Sequence, residues 1–323
     1  MDRTFAMNRR EILSAAAAVA VGTALGGKAW AQGYPSRPIR WVCYQAAGGS
    51  MDITMRAYQP FLEKQGLEMQ LDYIVGGSGN IARTEVFGGV QDGYTIMTDT
   101  APASVLNEVV AEAPYKALEF QPILGWALEG WQIYTRKEND IRTAEDLIAA
   151  SKQRLVTVAS IGRGSTSHLQ LLTLQEALGI KLNIVHFSGS AQVLPQVIGG
   201  NVDVAIGGPG SAVRSADQIQ VIGLIRESGE PALPDVPTFA SQGYKVEAIN
   251  QTWYASTGPG VPPDSAAKLT EAFAAAYDDP GFAEAQNKVG FIALQKLMPD
   301  DIRAINTAAF DLANTYKSVL TSE

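Results

Sequence analysis

The sequence predicts an α/β protein with two lobes. Short apolar runs typical of β-strands alternate with longer stretches whose apolar residues recur at helical spacing, which is the pattern of sheets covered by helices. The chain has 323 residues, and 46% of them are hydrophobic. Because single domains commonly hold about 100–200 residues, this chain is long enough for two lobes with their own packed cores.

The predicted elements alternate along most of the chain. The strands cover residues 39–44, 69–75, 95–98, 132–136, 155–159, 183–187, 202–206 and 221–225. The helices cover residues 52–64, 80–88, 144–152, 167–178, 191–198 and 264–277, and a last helix begins at Asp300 or Asp301 and runs to Val319. No flexible linker or internal repeat separates these elements, so we expect the lobes to be joined by two crossing segments, 126–134 and 221–228.

Residues 1–31 predict a signal peptide of the twin-arginine type. Paired arginines at 9–10 precede a weakly apolar stretch at 14–25, and the AWA motif at 29–31 has the pattern of a cleavage site. The modest hydrophobicity and Lys28 favour a twin-arginine signal over the alternative, a general secretory signal. We therefore expect cleavage after Ala31 and a mature chain in the periplasm.

Composition excludes several classes of function. The net charge is −8 and the mature chain has no basic run, which argues against nucleic acid or an anionic membrane as partner. Cys43 is the only cysteine, so no intrachain disulfide can form. The two histidines, His168 and His186, belong to no cluster spaced to bind a metal. We expect neither a metal nor a cofactor.

Four glycine-containing loops stand between a predicted strand and a predicted helix. They lie at residues 48–49, 76–80, 162–168 and 189–191. Glycine lets the backbone approach a ligand closely, and the free amides and positive dipole end of a following helix attract an anion. Loops of this kind around one crevice would bind a carboxylate without lysine or arginine. The alternative is that these glycines only satisfy turn geometry.

Two other functions remain open at this stage. The sequence GSGNIA at 77–82 fits the G-x-G-x-x-A pattern of a dinucleotide site, with Asp99 as the ribose-binding acid, but it follows the second predicted strand and not the first. Ser165 and His168 could serve an exported enzyme acting on a small acid, although such a pair also needs an orienting acid and an oxyanion site. We expect no enzyme and no catalytic residue.

Five motifs keep their order along the mature chain. They are YPSRPIR at 34–40, GGSMD at 48–52, DGYT at 92–95, GSTSHL at 164–169 and ALPDVPT at 232–238. Together they resemble the Bug family of periplasmic solute-binding proteins, the TctC-like receptors of tripartite tricarboxylate transporters. The resemblance implies a two-lobed type II periplasmic binding protein fold that holds a small organic acid, a carboxylate, in the inter-lobe cleft.

The same resemblance implies a domain arrangement and a partner. We assign residues 32–128 and 228–323 to lobe I and residues 129–227 to lobe II. Ligand bonded by both lobes would shift the population towards a closed form, and the receptor would deliver it to the transporter's membrane subunits. Presentation of ligand to a sensor kinase is the alternative output. We expect the protein to be a monomer.

The first binding loop departs from the family pattern. The family's loop usually reads proline, aromatic, small residue and proline before two glycines, whereas this chain has Tyr44, Gln45, Ala46 and Ala47. Gln45 can both donate and accept hydrogen bonds at the pocket. The resemblance places Ala47 beside Gly48 and Gly49, whose amides would bind a carboxylate, and Asp52, which would cap the helix or order water.

The remaining ligand-binding residues are expected on other loops and at strand ends. The second-lobe loops contribute Gly164, Ser165, Thr166, His168, Gly189, Ser190 and Ala191, and the other candidates are Thr98, Asp203 and Trp253. We favour a packing role for His168 at the helix start. For Asp203 we favour a structural role over contact with an amine-bearing ligand, and Trp253 would form a wall of the pocket near the hinge.

Overall fold

The computed structural model describes residues 33–227, 229–291 and 293–322. The chain divides into two units, Met1–Arg37 and Pro38–Glu323. Of the first unit, residues 33–37 form neither a helix nor a strand. The predicted signal peptide lies outside the described residues. Both sheets of the protein belong to the second unit.

The described residues form eleven strands in two sheets. The strands are β1 (Ile39–Cys43), β2 (Met69–Tyr73), β3 (Thr95–Ala101), β4 (Gln121–Glu129), β5 (Trp131–Arg136), β6 (Val156–Ile161), β7 (Leu182–Phe187), β8 (Val204–Gly207), β9 (Ile219–Ile225), β10 (Gln251–Thr257) and β11 (Leu294–Leu297). The large sheet has the order β11-β4-β10-β3-β1-β2, and the small sheet has the order β7-β6-β8-β5-β9. We call each sheet with its helices the large lobe and the small lobe.

Ten α-helices cover these sheets within the described ranges. They are α1 (Ser50–Lys64), α2 (Asn80–Gly88), α3 (Ala103–Val110), α4 (Ala144–Gln153), α5 (Thr166–Leu178), α6 (Ser190–Ile198), α7 (Gly210–Arg214), α8 (Pro263–Tyr277), α9 (Phe282–Lys288) and α10 (Pro299–Ser322). Local signals account for several ends. Thr143 and Asp146 form a capping box at the start of α4, and α5 ends at Gly179, which has a left-handed φ of 62°.

Both sheets are mixed, and each contains three parallel strands. In the large sheet β1 is parallel to β2 and β3, and β10 runs antiparallel between β3 and β4. In the small sheet β6 is parallel to β7 and β8, and β5 is antiparallel to β8 and β9. The chain passes from the large to the small sheet at Gly130, between β4 and β5, and returns through residues 226–250.

Each lobe has its own core. In the large lobe Tyr58 of α1 lies at the centre of an aromatic cluster, with ring centroids 6.2 Å from Trp41, 5.5 Å from Trp126, 5.2 Å from Phe273 and 4.5 Å from Phe282. Edge-to-face pairs of this kind add stability beyond the area they bury. The core of the small lobe is aliphatic and comes mainly from α5 and its sheet.

A buried ion pair fixes one of the glycine loops. Arg83 of α2 and Asp99 of β3 are both fully buried, and their closest nitrogen and oxygen are 2.6 Å apart. The guanidinium lies 4.7 Å from the centroid of the Tyr44 ring and donates to the carbonyl of Ser78 at 3.1 Å. This contact holds the loop at 76–79. Because Arg83 bonds both carboxylate oxygens of Asp99, that acid does not stand free to bind a ribose.

The predicted fold class is confirmed, and each predicted strand and helix is present with ends shifted by a few residues. The sequence did not predict β4, β10, β11, α3, α7 or α9. The strand β10 shows why. Its polar residues Thr252, Ser256 and Thr257 interrupt any apolar run, yet they are buried because β10 lies between two hydrogen-bonded neighbours.

Replacing Arg83 with methionine should destabilise the protein strongly. The change leaves the Asp99 carboxylate buried without its partner, which costs about 3–5 kcal/mol of unfolding free energy. Urea unfolding measures this loss. The matched control is Arg303→Met, which breaks the exposed pair with Asp300 and should cost at most about 1 kcal/mol. Equal losses for the two variants would contradict the assignment.

Candidate functional site

A cavity of about 140 Å³ lies where the two lobes face each other. Its walls come from the loops that follow β1, β2, β6, β7 and β8, together with residues at the crossing 129–131 and in β10. The carboxyl ends of parallel strands are the usual ligand sites in α/β folds. A cavity of about 150 Å³ holds benzene. The space therefore suits a ligand of roughly that size.

Four of the sequence-predicted site residues line this cavity: Gln45, Ser165, Ser190 and Trp253. The other predicted residues do not belong to its described lining; they are Ala47, Gly48, Gly49, Asp52, Thr98, Gly164, Thr166, His168, Gly189, Ala191 and Asp203. Most of these residues flank a lining residue in the same loop. Their contacts show what they do there.

The first loop is closed by its own hydrogen bonds. The amide of Gly48, which has a left-handed φ of 79°, donates to Asp52 Oδ2 at 2.7 Å, and the amide of Gly49 donates to the carbonyl of Ala46 at 3.2 Å. Asp52 also accepts from Arg56 Nε at 2.8 Å. These amides are therefore engaged within the loop, and they position Gln45 and the start of α1.

Ser165 and His168 form a helix cap. Ser165 Oγ donates to the carbonyl of Ile161 and accepts from the backbone amide of His168 at 3.2 Å. The imidazole of His168 is fully buried, and its Nδ1 accepts from the amide of Gly164 at 3.1 Å. A serine nucleophile needs an imidazole nitrogen to take its proton. Here the proton of Ser165 is directed at a carbonyl and Nδ1 is engaged elsewhere.

Asp203 directly precedes β8, and Thr98 lies within β3. Asp203 accepts two hydrogen bonds from Arg154, at 2.7 and 2.8 Å, and two from Thr157, at 2.7 and 2.8 Å. Although burial raises the pKa of Asp203, these hydrogen bonds hold that pKa below its ordinary value. Thr98 is fully buried in β3. Both residues therefore contribute to the structure of their own lobe.

Two charged residues in the cavity were missed by the sequence analysis. Glu129 and Arg214 are the charged side chains among the described residues that line it. Arg214 follows a strand and the GGPG turn at 207–210, so the strand-to-helix glycine rule could have identified it. Glu129 is the last residue of β4 and lies in the predicted crossing segment. A carboxylate between Trp126 and Trp131 was the sequence signal that could have identified it.

Glu129 is held in place by an indole. Its side chain is 5% exposed, and Oε2 accepts from Trp253 Nε1 at 2.7 Å. Burial raises the pKa of Glu129 to about 7, and the Trp253 hydrogen bond and the charge of Arg214 oppose that rise. Near neutral pH this carboxyl group can therefore hold or release a proton.

Arg214 extends from the small lobe to the large lobe. Its Nη1 donates to the carbonyl of Val289 at 3.0 Å, and its Nη2 lies 3.5 Å from Ser50 Oγ. A Cβ atom on Gly210 would lie 1.9 Å from the carbonyl oxygen of Gly290, so only glycine permits this approach of the two lobes. The guanidinium makes no ion pair with a carboxylate of the described residues.

Further hydrogen bonds join the lobes around the cavity. The amide of Ser50 donates to Ser190 Oγ at 2.7 Å, and the hydroxyl of Ser190 donates to Ser50 Oγ at 3.1 Å. On another side Ser78 Oγ donates to the carbonyl of Arg163 at 2.8 Å. The lobes are thus in contact through the loops that carry the predicted ligand-binding residues, which is a closed arrangement.

Neither a metal cluster nor a membrane helix is found in the described part of the chain. In these ranges no three histidine, cysteine or acidic side chains come together as metal ligands. None of the described helices combines the length and apolar character needed to cross a bilayer.

Replacing Glu129 with glutamine should reduce the pH dependence of stability. The folded state keeps a proton on Glu129 up to about pH 7, whereas the unfolded chain releases it near 4.5, so stability falls as pH rises through this window. The full effect is about 3 kcal/mol, of which the variant should recover about 1–3 kcal/mol between pH 5 and 8 in urea unfolding. Glu138→Gln, an exposed control, should keep the wild-type slope. The same slope in both variants would contradict this account.

Comparison with known proteins places this geometry in a family. Residues 60–307 match the family described as tripartite tricarboxylate transporter family receptor. A UPF0065 protein from the TAR-I ttuE-ttuC' intergenic region of Agrobacterium vitis is 28% identical over 272 residues, which cover 82% of this chain and 78% of the relative. Protein BugT of Bordetella pertussis is 26% identical over 310 residues, which cover 89% of this chain and 94% of the relative.

Solved structures show the same fold. The periplasmic binding protein BugD superimposes with a TM-score of 0.81 at 24% identity, covering 88% of this chain and 98% of that chain. Rpa4515 of R. palustris, solved with adipate, gives a TM-score of 0.82 at 22% identity and covers 90% of this chain and 99% of that one. MatC of Rhodopseudomonas palustris, solved with malate, gives 0.74 at 21% identity with the same coverages. The two-lobed type II fold and the resemblance seen in the motifs are confirmed, and the chain belongs to the tripartite tricarboxylate transporter receptor family.

Proposed function

We propose that this protein is a periplasmic receptor that captures a small organic acid between its two lobes and delivers it to a tripartite transporter. The observation that carries the proposal is the cavity, which is lined from both lobes and contains one arginine that reaches across them. A ligand in that position contacts both lobes at once. It therefore stabilises the closed arrangement, which the transporter's membrane subunits would recognise.

Arg214 supports a carboxylate as the ligand's anionic group. An arginine presents several donors in a planar fork that matches a carboxylate, and Arg214 has no carboxylate partner among the described residues. Its side chain also keeps an exposed surface. The relatives solved with adipate and malate hold ligands of this chemical class. The amides first expected to bind the carboxylate, at Gly48 and Gly49, would instead shape the loop.

The site residues divide into two groups in this proposal. Glu129 and Arg214 join Gln45, Ser165, Ser190 and Trp253 as the residues that contact the ligand. The predicted residues outside the cavity lining act through the loops that they brace. The geometry of Ser165 and His168 favours a receptor over an exported hydrolase, because the serine hydroxyl is used as a helix cap.

Export, lobe boundaries and assembly complete the proposal. Residues 1–31 would direct the chain to the periplasm and be removed after Ala31. The lobes would be residues 32–128 with 228–323, and 129–227. The receptor would act as a monomer without a cofactor, and it would leave its ligand chemically unchanged.

Replacing Arg214 with glutamine should weaken binding of carboxylates. Calorimetric titration of the mature chain with malate, adipate, benzoate and a set of amino acids tests the function itself, and loss of the guanidinium should lower the affinity of each binder by about tenfold or more. Arg142→Gln, an exposed arginine of the small lobe, is the matched control and should bind as the wild type does. If the Arg214 variant bound these acids as tightly as the wild type does, the ligand's carboxylate would have to bind a residue other than Arg214. No binding by any acid would overturn the proposed function.

Replacing Ser190 with alanine should weaken closure without unfolding either lobe. The change removes two hydrogen bonds with Ser50, and at about 0.5–1.5 kcal/mol per bond the total loss of about 1–3 kcal/mol corresponds to about 5–150-fold lower ligand affinity. Titration calorimetry gives the affinity, and urea unfolding should change by less than about 1 kcal/mol. Ser241→Ala is the control, because that hydroxyl donates to the carbonyl of Thr238 outside the cavity lining. Equal affinities for the two variants would argue that Ser190 does not assist closure.

A further inference from the structure

The cavity contains one acid and one base that are not paired with each other. Arg214 bonds a carbonyl and a hydroxyl of the large lobe, and Glu129 bonds the indole of Trp253. No ion pair joins Glu129 to Arg214 within the described residues. A buried charge that lacks a partner is costly. An acid and a base kept apart in one cavity can therefore bind opposite groups of one ligand that lies between them.

Glu129 has an oxygen available for a donor. Trp253 donates to Oε2, and no hydrogen bond to Oε1 is found among the described residues. The side chain lines the cavity and is 5% exposed, so the surface that it retains lies at the cavity. Gly208 packs over it closely, since a Cβ atom there would lie 3.2 Å from Oε2. An N–H group of the ligand can donate a hydrogen bond to Oε1.

Gln45 supplies a second unpartnered acceptor. Its side chain is 5% exposed and lines the cavity, and its Oε1 is buried without a hydrogen-bond partner. This oxygen lies between the lobes, because Cβ atoms on Gly49 and Gly189 would be 3.6 and 3.9 Å from it. A buried amide oxygen without a partner costs about 1–3 kcal/mol. A donor on the ligand would satisfy it.

We propose that the ligand is a small zwitterion whose carboxylate binds Arg214 and whose ammonium group binds Glu129, with Gln45 accepting a further hydrogen bond from the ligand. The inference rests on the proposed receptor function and specifies its ligand class. The cavity of about 140 Å³ limits the body to about the size of benzene, and Trp253 and Phe291 provide an apolar surface for it. Small amino acids have this chemistry.

Charge and hydrogen bonding argue against three other kinds of ligand. A dicarboxylate that placed one carboxylate on Arg214 would direct the second towards Gln45 Oε1, which it cannot supply with a hydrogen bond, and towards Glu129, whose charge repels it above about pH 7. A simple amine would leave the arginine without its anion. A monocarboxylic acid would satisfy Arg214 but leave Glu129 Oε1 and Gln45 Oε1 without donors.

The test uses probes that share a carbon skeleton. Titration calorimetry of the mature chain compares leucine with 4-methylpentanoate and 3-methylbutylamine, and γ-aminobutyrate with butyrate and propylamine, alongside the other small amino acids, malate and adipate. At least one zwitterion should bind about tenfold or more tightly than its matched acid, and the amines should bind more weakly than the zwitterions.

Three variants assign the groups. Glu129→Gln keeps the acceptor for Trp253 but removes the charge, and it should lower zwitterion affinity about tenfold or more while the matched acid changes less than about threefold. Gln45→Met should lower zwitterion affinity about 3–10-fold, also without affecting the acid. Glu138→Gln makes the same change in net charge on an exposed loop and should bind as the wild type does.

The outcomes separate the inference from the function. Acids or dicarboxylates that bind as tightly as the zwitterions, with no loss in Glu129→Gln, would overturn the zwitterion inference and leave the carboxylate receptor intact. A protein that binds none of the acids, with or without an amino group, would overturn the receptor function and the inference together. A zwitterion preference that disappears in Glu129→Gln alone among the charge variants would support both.

Discussion

The hydrogen bond from the Trp253 indole to Glu129 lies at the joint of the molecule. Glu129 ends the last strand before the chain enters the small sheet at Gly130, and Trp253 stands on β10, which pairs with β3 and β4. A buried carboxyl group is tolerated only with polar partners. Because β10 places Trp253 beside Glu129, an acid can be buried where the lobes meet, and this acid determines the chemistry of the cavity.

Contacts within a lobe and contacts between lobes differ in kind. Within the large lobe the buried pair of Arg83 and Asp99, the aromatic cluster around Tyr58 and the closed loop at Asp52 hold the cavity walls rigidly. Between the lobes the bonds around the cavity are short-range serine and arginine contacts. Each such bond contributes only about 1 kcal/mol, so separating the lobes costs far less than unfolding either of them. A ligand that contacts both lobes therefore shifts the equilibrium towards the closed form.

Much of the fold and part of the site were predictable. Strands and helices with clear periodicity were found where they were expected, and the glycine loops stand between strand and helix. The predicted loops lie around the cavity, and Gln45, Ser165 and Ser190 line it. The pattern did not show that the Gly48 amide is used within its own loop. Asp52, four residues later, accepts the hydrogen bond from that amide.

The sequence alone determined the α/β class, the order of the elements with clear periodicity, the family motifs and the position of the glycine loops, since periodicity, glycine and capping act over a few residues. Only the tertiary structure decided which side chains meet in the cavity. Glu129, Arg214 and Trp253 are separated by tens of residues in the chain, and they come together because the chain crosses from one sheet to the other and back. Charge pairing, burial and the pKa of Glu129 depend on those long-range neighbours, which no local pattern encodes.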